Sequence, residues 1–179
     1  MSHHQDASFD AKDSVSGGKK VGKNPTDRGK KGTKKSLLVE AGGGPLAAVV
    51  EAANVPEAKL LRATIEAVVV ERPQPTETEP QHLCLDKGYD NPTAEKAVEG
   101  SGYTPHIRRI REEKKSCDRS KGEKPRRWVV ERALAWLCKC RAILIRYDKK
   151  DVNYLGLIQW ACALIWYRRL VRLQRVDAS

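Results

Sequence analysis

At 179 residues, 40% of them hydrophobic, the chain is long enough to bury one real core and too short for two ordinary domains. Its 34 Lys and Arg against 23 Asp and Glu leave a formal charge of +11, which points to a polyanionic partner, nucleic acid above all. Five cysteines, an odd number, with no signal peptide before them argue against a disulfide framework and for a reducing cytoplasm.

The charge is uneven. Residues 1–35 are polar, rich in Gly, Lys, Ser and Asp, and are expected to be an arm that does not fold by itself. Between Lys19 and Lys35 there are eight basic residues and the single acid Asp27. From Ser36 the texture changes, and a domain is expected over 36–173 with a tail at 174–179. "SLLVEA", a Gly-Gly-Gly-Pro turn and "LAAVVEAA" predict a β-hairpin. Apolar spacing in "EAKLLRATIEAVVV" predicts an amphipathic helix over 57–70, and the Pro-rich stretch 71–80 a surface linker.

"LCLDKGYD" (83–90) then reads as a buried strand ending in an acid, Asp86. Asn91 and Pro92 predict a helix start, and Gly100 and Gly102 its end. "YTPHIRRI" is a strand candidate. Residues 111–124 are charged and predict a mobile loop, with Arg108, Arg109 and Arg111 extending the basic track. Two long helices are expected over about 126–145 and 151–173. The second is apolar for about 16 positions but includes Asn153 and Gln159 and ends in Arg168 and Arg169. A membrane span needs ~20 apolar residues, so a buried core helix is expected and no membrane partner. The element order describes an α/β protein with a mixed sheet.

Candidate chemistry centres on acids. An acid just past a strand's end stands where neighbouring strands open to solvent, and magnesium takes oxygen ligands from separate elements. Asp86 has that position; a strand-end acid that caps the loop or pairs with Lys87 is the simpler alternative. Glu131, in "KPRRWVVERALAWLCKCR", lies at i+4 from Arg127, which by itself describes a surface ion pair. Trp128, Leu134, Ala135 and Cys138 are expected near the core face, with Trp136 also in the core. Cys138 and Cys140 lack a second pair at zinc spacing, and His82 with Cys84 makes no stronger site. Lys23, Arg28, Lys30, Lys31, Lys34 and Lys35, interleaved with Gly and Pro, predict a flexible loop that neutralises DNA phosphates.

"NPTDRGKKGTKKSLLVE" (24–40), "LCLDKGYD" (83–90), "RRWVVERALAWL" (126–137) and "NYLGLIQWACALIWYRRL" (153–170) together resemble the bacterial insertion-sequence transposases with a DDE triad, in particular the insertion-sequence five branch. The resemblance runs from about Asp6 to Leu170. It implies an RNase H-like mixed sheet flanked by helices, and a catalytic Asp, Asp and Glu holding two Mg2+ ions, with Mn2+ as a substitute. Asp86 matches the second Asp and Glu131 the Glu; Arg127 matches the Arg four positions before it, expected to position DNA or the Glu. Asp6 fits the first Asp best, although Asp10 and Asp13 stand closer to Gly17 and Gly18. Only "MSHHQ" precedes Asp6, so an incomplete first strand is expected, in a chain that looks like the catalytic part of a transposase without its front. The implied activity is cleavage of an element's DNA ends and strand transfer into target DNA, by a protein acting as a dimer on two ends and found at the nucleoid when bound. A DNA-binding but inactive remnant is the alternative.

Overall fold

The computed structural model describes the backbone of residues 3–11, 18–107 and 127–177, and the side chains of 18–86, 88–107 and 128–176. The strands are β1 (His3–Ala11), β2 (Gly22–Lys23), β3 (Lys31–Glu40), β4 (Pro45–Ala52), β5 (His82–Leu85) and β6 (Thr104–Ile107). The helices are α1 (Glu57–Glu66), α2 (Pro92–Glu99), α3 (Arg127–Cys138), α4 (Arg141–Leu144) and α5 (Asp151–Asp177). In space the long strands run β4-β3-β1-β5-β6, with β2 pairing the start of β3. β4, β3 and β1 are antiparallel neighbours, whereas β5 and β6 run parallel to β1. This is the expected mixed sheet.

A first strand forms where an incomplete remnant was expected. β1 is nine residues long and lies inside the sheet, paired with β3 over His4–Ala11 and with β5 over His3–Gln5. Backbone pairing on two edges is what makes a strand of this polar segment, and that pairing leaves no mark in hydrophobic patterning. The expected boundary at residue 35 likewise falls inside β3, which starts at Lys31. The segment 111–124, Arg108, Arg109, Arg111 and Asp13 lie outside the described residues.

β3 is buried on both faces, and each face has its own core. On one, Leu37, Val39 and Val50 meet Val129, Val130, Ala133, Leu134 and Leu137 of α3, Ile143 of α4, and Tyr154, Ile158 and Ala161 of α5. On the other, Leu38, Leu83 and Leu85 meet Leu61 and Ile65 of α1 and Ala94 and Val98 of α2. Alternation along each strand feeds the two layers. α2 starts as its sequence predicts, with the Asn91 side chain accepting from Ala94 N at 2.9 Å and Pro92 in the first turn. α1 stops at Glu66, short of residue 70, because Val69 N turns to the β4 carbonyl of Leu46 at 3.3 Å.

The helix expected over 126–145 is two helices. Nothing in "LCKCRA" (137–142) breaks a helix by propensity. At the break the bonds tighten to i→i−3, Lys139 N to Trp136 O at 3.1 Å and Cys140 N to Leu137 O at 3.0 Å. The Ile143 carbonyl, which accepts the Lys35 ammonium at 3.1 Å and the Tyr154 hydroxyl at 2.6 Å, is held by tertiary bonds where α4 ends. α5 is not the buried core helix expected: Tyr154, Ile158 and Ala161 are buried, while Trp160 and Tyr167 are 69% and 63% exposed. Among the described residues no helix is long and apolar enough to cross a membrane.

Candidate active site

β1 and β5 are adjacent and parallel, with Gln5 opposite Cys84. One residue further, Asp6 comes level with Leu85, and Asp86 follows as the first residue beyond β5. Two acids thus stand one register step apart on neighbouring strands running in the same direction. Asp10, also in β1, stands opposite Lys34 of β3, four residues further along. Of the two candidates in β1, Asp6 has the register nearer to Asp86.

Asp86 is half-buried, and its carbonyl accepts from Tyr89 N at 3.0 Å, closing a single 3-10 turn, Lys87–Tyr89. Tyr89 is 1% exposed and packs with Ala94 and Val98 of α2, so the turn after the acid is anchored from below. Gly88 is not needed for a left-handed bend there. It has no positive φ, and an added Cβ would meet nothing closer than Glu57 Oε2 at 3.6 Å.

Glu131 is exposed on α3, a helix packed across β1 and β3. The core face of α3 is Val129, Val130, Ala133, Leu134 and Leu137, which shares only Leu134 with the stripe expected. Ala135 is exposed, and Trp128 is 48% exposed beneath the Arg132 guanidinium, 4.6 Å from its ring centre. Trp136 and Cys138 are half-buried, Trp136 against the core. Arg132 Nη2 donates to the Gly42 carbonyl at 2.7 Å and so ties α3 to the β3–β4 turn. The side chain of Arg127 lies outside the described residues, as does that of Asp6.

The basic segment is a built turn where a flexible loop was expected. Asn24, 5% exposed, accepts from Thr26 N at 3.0 Å and Thr26 Oγ1 at 2.8 Å, while Asn24 N donates to Lys30 O at 2.7 Å. Arg28 and Gly29 take left-handed φ values of 51° and 73° to close it. Lys23, Arg28, Lys30 and Lys31 are exposed on this turn and the β2–β3 ladder that carries it.

Two lysines depart from the expected phosphate-binding set. Lys35 is 2% exposed, its ammonium buried against the Ile143 carbonyl, so it cannot meet DNA without unfolding that junction. Lys34 is half-buried, donating to Val55 O at 3.2 Å with Glu57 Oε1 at 3.7 Å.

Patterning did not reveal Arg146. It is fully buried, donates to the carbonyls of Lys19, Lys20, Asp148 and Lys149 and to Thr33 Oγ1, and faces the Tyr154 ring at 5.4 Å. It fastens the start of the basic segment to the α4–α5 connection. The only available signal was an Arg after the apolar run "AILI", and most such arginines are exposed.

As a donor set, two Asp and one Glu from three elements offer only hard oxygens, the ligands that Mg2+ and Mn2+ accept. Among the described residues no three His, Cys, Asp or Glu side chains converge on a metal position; Asp6 is placed by its backbone.

Comparison with known proteins gives two findings. A family model described as a transposase DDE domain matches residues 3–166. The transposase described for insertion sequence element IS402 of Burkholderia cepacia is 34% identical over 163 residues, which cover 89% of this chain and 73% of that protein.

Proposed function

Since the chain belongs to the DDE transposases of bacterial insertion sequences, we propose that it cleaves DNA at the ends of such an element and joins the freed 3′ hydroxyl to target DNA. The observation carrying this reading is the register of β1 and β5, which sets Asp6 and Asp86 at adjacent positions of parallel neighbours. Glu131, on the helix that crosses β1, completes the proposed triad. The order β4-β3-β1-β5-β6, antiparallel then parallel, supports an RNase H-like sheet, and the motif segments support the insertion-sequence five branch.

Asp6, Asp86 and Glu131 would hold two Mg2+ or Mn2+ ions, which when bound supply charge neutralisation and activation of the attacking oxygen at the phosphate. The residues of the chain do the positioning. Tyr89 packs the turn behind Asp86 against α2, so its carboxylate is held on a rigid base. Lys23, Arg28, Lys30 and Lys31 lie along the DNA backbone and release counterions, and Arg127 steadies DNA or Glu131. Action on two element ends calls for two copies of the chain, bound to DNA at the nucleoid in the cytoplasm.

The test is nicking and strand transfer on cognate element ends with Mg2+ or Mn2+, beside Asp6→Asn, Asp86→Asn and Glu131→Gln. Each variant should lose cleavage by at least about 100-fold, as for removal of a group acting on the transition state, while salt-sensitive DNA binding persists. Cleavage that survives Asp86→Asn would refute the site. A wild-type chain that binds DNA without cutting it would favour the inactive remnant.

A further inference from the structure

One stripe of α5, in alternating steps of four and three residues, begins Tyr154, Ile158, Ala161, Ile165 and continues Arg168, Arg172, Arg175. Such spacing keeps all seven on one side of the helix. The first three are buried, and Ile165 packs against the same core. The stripe turns cationic where α5 reaches the end of the sheet: Trp166 Nε1 donates to Pro45 O at 2.7 Å, and Arg169 pairs with Glu40, both at the β3–β4 turn. Beyond Arg169 each described residue is exposed except the half-buried Val171. The core-facing side of the helix thus runs on past its support as arginine.

The overhang lines a depression of about 470 Å3, bounded among the described residues by Tyr167, Arg168, Val171, Arg172 and Arg175. From Ala161 to Val176 there are four arginines and no acid, and α5 holds no lysine. A guanidinium fork grips two phosphate oxygens at once where an ammonium acts as a point charge. Arg168 is already positioned, its guanidinium 5.0 Å from the centre of the Trp136 ring. Trp136 lies on α3, the helix of Glu131, and Arg132 of that helix donates to Gly42 in the same β3–β4 turn. The depression therefore adjoins the helix of the proposed triad.

We infer that the overhang of α5 is a second DNA-binding surface, in which Arg168 and Arg172 take phosphates of one strand. The two stand about 6 Å apart along the helix axis, close to the rise of two nucleotides in one strand of a duplex. The basic turn leads into the start of β3 and this surface stands at its end, roughly 30 Å further along, so the two engage different stretches of DNA. The inference rests on DNA as the substrate.

The experiment measures binding of the full-length protein to a labelled duplex by fluorescence anisotropy, between about 50 and 200 mM salt. Arg172→Ala should lower the salt slope by about 1, and Arg168→Ala with Arg172→Ala by about 2, beyond the share of the basic turn. The double variant should bind at least about tenfold more weakly at the lowest salt. Lys at both positions should restore most of the slope, since a phosphate contact needs the charge. Arg62→Ala, an exposed charge on α1 across the sheet, should change nothing. Should the double variant lose its far-UV circular dichroism with the Arg168–Trp136 contact, Arg172→Ala carries the test, because Arg172 is exposed. An unchanged slope in Arg172→Ala overturns the inference and leaves the basic turn as the DNA contact. A wild type that binds no duplex overturns the DNA reading and this surface with it. Variants that alter sedimentation of the free chain but not the slope would assign the overhang to a second copy, and overturn the inference too.

Discussion

All five N–H bonds of Arg146 end on oxygens, four of them main-chain carbonyls in two distant segments. Replacing it by Met would leave those acceptors buried and unmatched, at ~1–3 kcal/mol for each that water cannot reach. Arg146→Met should therefore lower stability by at least about 3 kcal/mol in urea denaturation. Lys in its place should recover little, since one ammonium cannot reproduce the fork. The contrast between Lys31 and Lys35 is a second residue-scale test. Lys31→Ala should reduce the salt slope of DNA binding by about 1, whereas Lys35→Met should leave the slope alone and lower stability. Nothing in "KKGTKK" separates these side chains: four apart on β3 they share a sheet face, and Lys35 is buried because the chain around Ile143 covers that end of it. The place of Asp86 was more legible, since an acid closing an apolar run has a local cause.

The β3–β4 turn and α5 are joined through Glu40. Its carboxylate accepts from Gly42 N at 2.7 Å and Gly44 N at 2.8 Å and pairs with Arg169. Burial by itself would raise this carboxyl, but the two amides and the guanidinium outweigh it and hold it below the usual carboxylate range. A carboxyl lowered on folding adds stability above its unfolded pKa and loses that stability as pH falls through its folded pKa. Glu40→Gln should thus cost about 1–2 kcal/mol at pH 7, a figure kept small because the Arg169 side chain is 40% exposed. Melting curves should show that deficit shrinking as pH drops below about 4. Gly44 belongs to the same junction: an added Cβ would lie 2.2 Å from the Trp166 ring, whose Nε1 donates to Pro45 O at 2.7 Å. The hairpin and α2 were legible because their turn and cap residues are local. β1 and the end of α4 were not, because pairing on two edges and the Lys35 and Tyr154 bonds to Ile143 come from residues far away in the chain.

At the scale of the whole molecule, a formal charge of +11 on 179 residues acts in two opposite directions. In the free protein the excess cations repel one another, most strongly where Lys23, Arg28, Lys30 and Lys31 crowd the turn after β2. Salt screens that repulsion over a Debye length of ~10 Å at 0.1 M and so favours the compact state. On DNA the same cations replace condensed counterions, and salt opposes them. Four phosphate contacts at a slope of about −0.9 each predict a fall in affinity of roughly 100-fold between 50 and 200 mM salt. The melting temperature of the free chain should rise over the same interval. Both can be read on one preparation, by fluorescence anisotropy with a labelled duplex and by thermal denaturation without it. An affinity insensitive to salt would remove the turn from the DNA interface. A melting temperature that falls with salt would mean that attractive pairs such as Lys34–Glu57 and Lys20–Glu51 outweigh the net repulsion, and that the positive surface is tolerated in the fold without a partner.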